Sequence, residues 1–332
     1  MNADSMLSIF VVTGIGIARV RKREDVLRAT SVLEDESVQC VAVDPKNSSV
    51  VYVGTRGKGV LRSTDRGETW RDLKLPEADV FSLAVSPASG AVYAGTEPSK
   101  LFMSTDRGKT WREREGLQEI PSRPEWSFPP RPETSHVRWI APSPHDADLL
   151  LVGIELGGLM RSTDGGRTWT DHRPGAQKDV HCLAWHPRVE GRAYEAGGGG
   201  AAWSTDGGMT WEAADDGRDR HYTWGLAVAP EDSNTWFVSA SPGPREAHSE
   251  GRAEAFIYRW QGAGPWEALG GSLPEPLDSF PYALLAADEQ LFAGLGDGRL
   301  YASSDRGDTW RKLQVEGASL AGLRALAAAD RT

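Results

Sequence analysis

Short apolar runs punctuated by turn residues recur along the whole chain. Five of them end in a turn proline: CVAVDP at 40–45, SLAVSP at 82–87, WIAPSP at 139–144, CLAWHP at 182–187 and GLAVAP at 225–230. A second apolar run follows each and has a counterpart late in the chain: VVYVGT, AVYAGT, LLLVGI, RAYEAG, TWFVSA and QLFAGL, the last at 290–295. Runs of this length, bounded by Pro, Gly, Asn and Asp, predict β-strands. A third run (VLR at 60–62, GLM at 158–160, RLY at 299–301) leads into an octapeptide, and a fourth strand leaves it. The octapeptide is S-[ST]-D-x-G-x-T-W. It stands five times, at 63–70, 104–111, 162–169, 204–211 and 303–310. Repetition at roughly 40 to 60 residues marks a propeller or an array of small sheets.

The octapeptide has turn chemistry. Its carboxylate can bond nearby backbone N–H groups, its glycine accepts positive φ, and its tryptophan plugs the neighbouring sheet. Each copy is therefore a hairpin turn within a small antiparallel sheet. The motif resembles the Asp-box, or BNR, repeat of sialidases, sortilin-type receptors, xyloglucanases and a photosystem II assembly factor. That resemblance implies an all-β propeller in which the boxes are structural and lie on the face opposite the ligand site.

Counting repeats predicts seven blades. Leu7–Gly14 matches a second strand, residues 15–25 and 26–33 read as two more, and the first strand of this unit is missing. Six full repeats follow; the fifth has lost its box, and the sixth runs from about 279 to 315. Residues 323–329 (LRALAAA) then look like a first strand with nothing after it. Placed beside the N-terminal strands, that segment closes the ring of four-stranded antiparallel blades and leaves no sheet edge open. The whole chain, 1–332, is thus expected to be a single domain. Two insertions break the rhythm. One, at about 116–135, carries Trp126, Phe128 and three prolines and suits an ordered wall. The other, at about 241–254, is polar and suits a lid.

Composition adds boundaries. The chain has 332 residues, a net charge of −10 and a pI near 5.3, which disfavours nucleic acid and anionic membranes as partners. Cys40 and Cys182 occupy the same position of two repeats, so they are expected in different blades as small buried side chains rather than as a disulfide. Residues 6–18 do not read as a signal peptide, because Asp4 replaces a basic flank and no small-x-small site follows. No apolar run reaches membrane-spanning length, and the chain reads as cytoplasmic.

In a propeller, the loops before first strands and those after second strands share one face. The residue just before each strand motif reads Gln39, Phe81, Arg138, His181, Trp224, Tyr282 and Arg324. Two positions upstream stand Ser37, Asp79, His136, Asp179, Tyr222, Phe280 and Gly322, while Arg56, Glu97 and Glu155 end second strands. The expected site is an axial pocket. Arg138 and Arg324 would clamp anions or hydroxyls, with Arg56 and Glu97 beside them. Tyr222, Trp224, Tyr282 and Trp126 would provide stacking faces, and Glu155 with His181 or His136 would act as acid and base. The competing expectation is that these groups merely fill the channel mouth and pair among themselves. No metal is assigned, because His136, His181, His221 and Glu155 form no local ligand motif; no cofactor is expected. Gly197–Gly200 lacks the Lys-Ser/Thr of a phosphate loop and reads as a tight connection.

The functions implied by the resemblance fit unequally. Sialidases carry an F/Y-R-I-P motif and three arginines; here residues 14–19 read GIGIAR and the columns yield two axial arginines. Xyloglucanases use two propellers, the sortilin-type receptors are larger and anchored, and the assembly factor uses an arginine-rich surface. The expectation is therefore a pocket for a small polar or anionic molecule, a sugar or organic acid, with hydrolase or lyase chemistry of a kind unlike a typical sialidase. The alternative is a non-catalytic scaffold for a protein partner.

Overall fold

The computed structural model describes residues 7–23 and 26–329. Asp4, Met6 and Asp25, which entered the reading of the N-terminus, lie outside them. Seven sheets form the ring. The six full blades begin with the strands Val38–Asp44, Val80–Val85, Val137–Pro142, Val180–Trp185, Tyr222–Val228 and Pro281–Ala287. Within each blade the strands pair in chain order, inner to outer, and antiparallel. The apolar run Ser8–Thr13 is wholly buried in the seventh, closing blade. Its inner neighbour is Ala325–Ala329, with Ser8 opposite Ala329 and Val12 opposite Ala325.

Two departures from the expected pattern are informative. Val315 does not end the sixth blade: Val315–Gly317 runs parallel to Leu27–Ala29 as the outermost strand of the closing blade. The chain therefore clasps this blade on both edges, giving it five strands. In the third blade the fourth strand is reduced to one bridge, Arg161 with Thr170. No helix among the described residues is long and apolar enough to cross a membrane.

The octapeptides are the outer turns of the blades. In the third blade Ser162 Oγ donates to Asp164 Oδ1 (2.8 Å) and accepts from the Gly166 N–H (2.9 Å), while Thr168 bonds Asp164 through N–H (2.9 Å) and hydroxyl (2.6 Å). The other four boxes repeat this network. The turn takes two successive left-handed residues, Gly165 at φ +70° and Gly166 at +84°. Glycine is needed at the second for space as well: a Cβ on Gly108 would lie 2.3 Å from Leu73 Cδ1 of the preceding blade. An arginine of the preceding blade reaches onto the box backbone. Arg62 donates to Arg107 O (2.5 Å), Arg161 to Gly207 O (2.7 Å), Arg259 to Arg306 O (3.0 Å), and Arg19 likewise to Arg66 O.

Candidate ligand site at the axial mouth

Each full blade carries a register shift near the start of its inner strand. The shifts fall between Val38 and Cys40, Val80 and Ser82, Val137 and Trp139, Val180 and Cys182, Thr223 and Leu226, and Pro281 and Ala283. The extra residue is Gln39, Phe81, Arg138, His181, Trp224 (with Gly225) or Tyr282. A β-bulge leaves one residue out of the ladder and re-aims its side chain. That is the local reason why one sequence column collects at the mouth on the face away from the boxes.

On the third-blade side His136 is almost fully buried. Its Nε2–H donates to Glu155 Oε2 at 2.9 Å, and its Nδ1 lies 3.5 Å from Glu97 Oε2. Phe81 stacks on the imidazole at 4.0 Å and Phe128 meets it edge-on at 4.8 Å. Arg131 grips Glu97 with a two-bond fork of 2.8 and 2.6 Å and lies over Phe128. The first insertion supplies Phe128 and Arg131 to these contacts and carries two short 3-10 turns, Glu115–Glu119 and Arg123–Glu125. Burial raises the Glu155 and Glu97 carboxyls, but His136 and the neighbouring arginines more than offset it, and each is held at about 2.

Arg138 spreads its guanidinium 4.5 Å over Trp224, with Nε 3.7 Å from Glu155 Oε2. His181 lies between these groups, its ring 4.3 Å from Trp224 and 4.9 Å from Tyr222. Its Nδ1–H donates to Thr223 O at 2.6 Å. The second insertion covers this side. After the short helix Pro244–Ala247, His248 sits between two tyrosines, with Nε2 2.8 Å from Tyr222 Oη and Nδ1 2.8 Å from Tyr282 Oη. Burial above all, with the positive charge of Arg324 and Arg138 nearby, lowers His248 to about 4. It is neutral at physiological pH, so one tyrosine donates to the ring and the other accepts from it. Burial and the nearby carboxylates Asp179 and Glu155 push the Tyr222 phenol up.

The expected residues are not all gathered. Glu97, His136, Arg138, Glu155, His181, Tyr222, Trp224 and Tyr282 form one connected cluster through the contacts above. Arg56, over Phe81 at 5.7 Å, and Arg324, over Tyr282 at 5.5 Å, are exposed at its rim. Trp126 stands apart. It is buried in the apolar core of the third blade beside Ile154 and Leu117, with its Nε1–H donating to Ser122 Oγ at 3.1 Å. His221 is exposed and takes no part in these contacts. His248 and Arg131 lie in the insertions, where no repeat register exists to align them. Two surface grooves lie away from the mouth, one on the box face beside Arg62 and Asp106, the other between the sixth and closing blades. Cys40 and Cys182 stand in different blades as free thiols, each pushed up to about 12 by burial.

The BNR/Asp-box repeat model matches residues 202–213, the fourth-blade box with its flanking strand residues. The same network stands in five blades of the seven-bladed ring. The chain is a seven-bladed β-propeller that carries Asp-box repeats. Among curated proteins no sequence matches this propeller. Among solved structures it resembles the GH74 xyloglucanase from Xanthomonas campestris (17% identity, TM-score 0.67), covering 99% of this chain and 53% of that one. It also resembles an ancestral GH74 enzyme (20%, TM-score 0.63), over 83% of this chain and 38% of the other. The propeller thus spans about half or less of these two enzymes. YCF48 bound to D1 peptide matches at 15% identity and TM-score 0.57, over 94% of this chain and 85% of that one. At such identities the likeness is one of fold.

Proposed function

We propose that the axial mouth binds a small polar or anionic molecule of the sugar or organic-acid class. The observation that carries this reading is the bulge common to the six full blades, which turns Arg138, His181, Trp224 and Tyr282 toward one mouth. Arg138 Nε is buried against Glu155, while its Nη groups make no hydrogen bond among the described residues and are the part of the fork left for a carboxylate or hydroxyl. Trp224 and Tyr282 offer faces for a sugar ring, and the ionised Glu155 and Glu97 accept hydroxyl hydrogens. Glu155, His136 and His181 are the proposed groups for acid–base chemistry of hydrolase or lyase type. A carboxyl held near 2 is ionised at neutral pH, so Glu155 serves as acceptor or electrostatic partner. With its Nδ1–H held by the Thr223 carbonyl, His181 presents Nε2 as the proton-accepting group.

The test is thermal unfolding against sugars, sugar acids and organic anions, with Arg138→Ala alongside. A ligand at about 100 times its dissociation constant adds roughly 2.7 kcal/mol, which amounts to several degrees. A shift present in the parent and lost in Arg138→Ala supports the pocket. A shift that Arg138→Ala leaves untouched refutes it. One observation favours a second reading, a protein-binding scaffold. The pairs Glu97–Arg131 and His136–Glu155 already satisfy each other, as groups filling a channel mouth would. YCF48, of the same fold, is seen with a peptide. Absence of any shift across the panel, with a partner recovered through the mouth, decides for the scaffold.

A further inference from the structure

We infer that the propeller carries a site for one first-row divalent cation at its axial mouth, with Glu155, Asp179 and His181 as ligands. The three come from different places in the chain: the end of a second strand, the loop before a first strand, and a bulge. Their nearest ligand atoms all fall within 4.8 Å of one another. A group of carboxylates alone would carry no such claim. What points to a cation is the geometry at His181, whose buried Nε2 faces the carboxylates without a hydrogen-bond partner among the described residues.

The His181 ring is almost fully buried, and Nδ1 lies 2.6 Å from the Thr223 carbonyl, an atom that can only accept. The proton of a neutral ring is therefore on Nδ1, and the Nε2 lone pair faces the carboxylates. Nε2 has no hydrogen-bond partner among the described residues, and neither has Asp179 Oδ1. A backbone carbonyl fixing the far nitrogen of a histidine is the usual outer support of an imidazole ligand. The separation of Nε2 from Asp179 Oδ2 is 3.4 Å. Two atoms each about 2.1 Å from a common tetrahedral centre stand about 3.4 Å apart. Glu155 has outer support of its own, since His136 donates to its Oε2.

The place of Asp179 is built into the backbone. Gly198 donates its N–H to Asp179 O at 2.8 Å, and a Cβ on Gly198 would fall 2.0 Å from Asp179 Oδ2. The glycine run 197–200 thus leaves the space in which this carboxylate stands. Thr223 ties the same run to the histidine: its hydroxyl accepts from the Gly197 N–H and shares its one hydrogen between Gly200 O and Gly197 O, and its carbonyl accepts the His181 Nδ1–H bond. The nearby positive charge of Arg138 balances one carboxylate, while Asp179 has no arginine or lysine partner among the described residues. One imidazole with two carboxylates suits Zn2+ or Mn2+, and the site leaves coordination positions open to the mouth for water or a ligand oxygen.

This inference stands independently of the organic ligand, because the metal alone is the probe. Tag-free protein, stripped with chelator and dialysed, would be titrated with Zn2+ and Mn2+ by calorimetry and thermal unfolding. One ion per chain is expected, with a rise in Tm. Asp179→Asn and Glu155→Gln should each weaken binding by a hundredfold or more. His136→Gln, which removes only the support of Glu155, should cost roughly 10- to 100-fold. Asp179 is part-exposed in a loop, so its variant is expected to fold, and its circular dichroism and metal-free Tm check that. Co2+ loaded into the site should show a visible band that Asp179→Asn abolishes. Absence of saturable binding up to millimolar metal overturns the inference. So does binding that survives both carboxylate variants, or metal binding that leaves the His181 ring resonances unshifted. An organic ligand that still binds the chelator-treated protein leaves the proposed function standing while the metal titration decides this site.

Discussion

Glu195 is fully buried in the second strand of the fourth blade, and its one hydrogen-bond partner among the described residues is the Gln177 N–H at 2.9 Å. Burial raises it from the usual 4.5 to about 8, so the folded protein keeps a proton that the unfolded chain has lost. Stability from this group is fully present below about 4.5 and falls as pH rises toward 8. Glu195→Gln keeps the shape without the titration. Its Tm should vary less between pH 5 and 8 than the parent's and exceed it at pH 8; superimposable curves would refute the assignment. Glu97 and Glu155 work in the opposite sense. Each is lowered to about 2, so their contribution is present above about 4.5 and is lost as pH falls toward 2. In Glu155→Gln the Tm should fall less steeply below pH 4 than in the parent. Of the clustered residues, Arg138, His181, Trp224 and Tyr282 were legible as one column of the repeat, His136 and Tyr222 as the position two upstream, and Glu97 and Glu155 as second-strand ends. The buried state of Glu195 was not, because nothing in RAYEAG tells which side of the strand meets the third blade. His248 was hidden for a different reason: an insertion has no register with its neighbours.

At the scale of elements, the boxes and the arginines that reach them form a chain of contacts from blade to blade. Arginine stands just before the box, or at the matching strand position, where the next blade carries a box: Arg62, Arg161 and Arg259, with Arg19 in the closing blade. Where the next blade has lost its box, in the fifth, that position is Trp203, covered by Arg192 at 4.0 Å. Met103 is the exception, with Arg114 against its sulfur. Losing a charged hydrogen bond to a carbonyl costs about 1–3 kcal/mol. Arg161→Ala should therefore lower Tm by a few degrees, while Arg71→Ala, exposed in an outer strand, should not. Equal Tm values for the two would show the clamp to be idle. The boxes and strand order could be read directly from the sequence. The bulges could not, since an unpaired residue looks the same as a paired one until its partner strand is placed. The shrunken fourth strand of the third blade escaped notice for the same reason.

For the whole molecule the decisive feature is closure. The shared blade was expected from repeat counting, and the parallel outer strand Val315–Gly317 was not, because three residues carry too little pattern to mark a strand. Removing residues 325–329 strips Ser8–Thr13 of its inner neighbour and should turn one cooperative unfolding transition into a broad one with aggregation. A sharp, unchanged transition would mean that the ring does not need its clasp. Since Ser8 and Ala329 face each other in an antiparallel pair, a short hairpin linker can join them. A permutant so linked, opened at Gly264 in the boxless fifth blade, where a Cβ would meet nothing, should fold with near-parent Tm. The same clasp imposes a schedule on synthesis. Translation at 5–20 residues per second leaves the earliest apolar strand waiting roughly 15–60 s for its inner partner to be made. A nascent-chain chaperone, or the ribosome surface itself, has that interval in which to shield an unfinished edge.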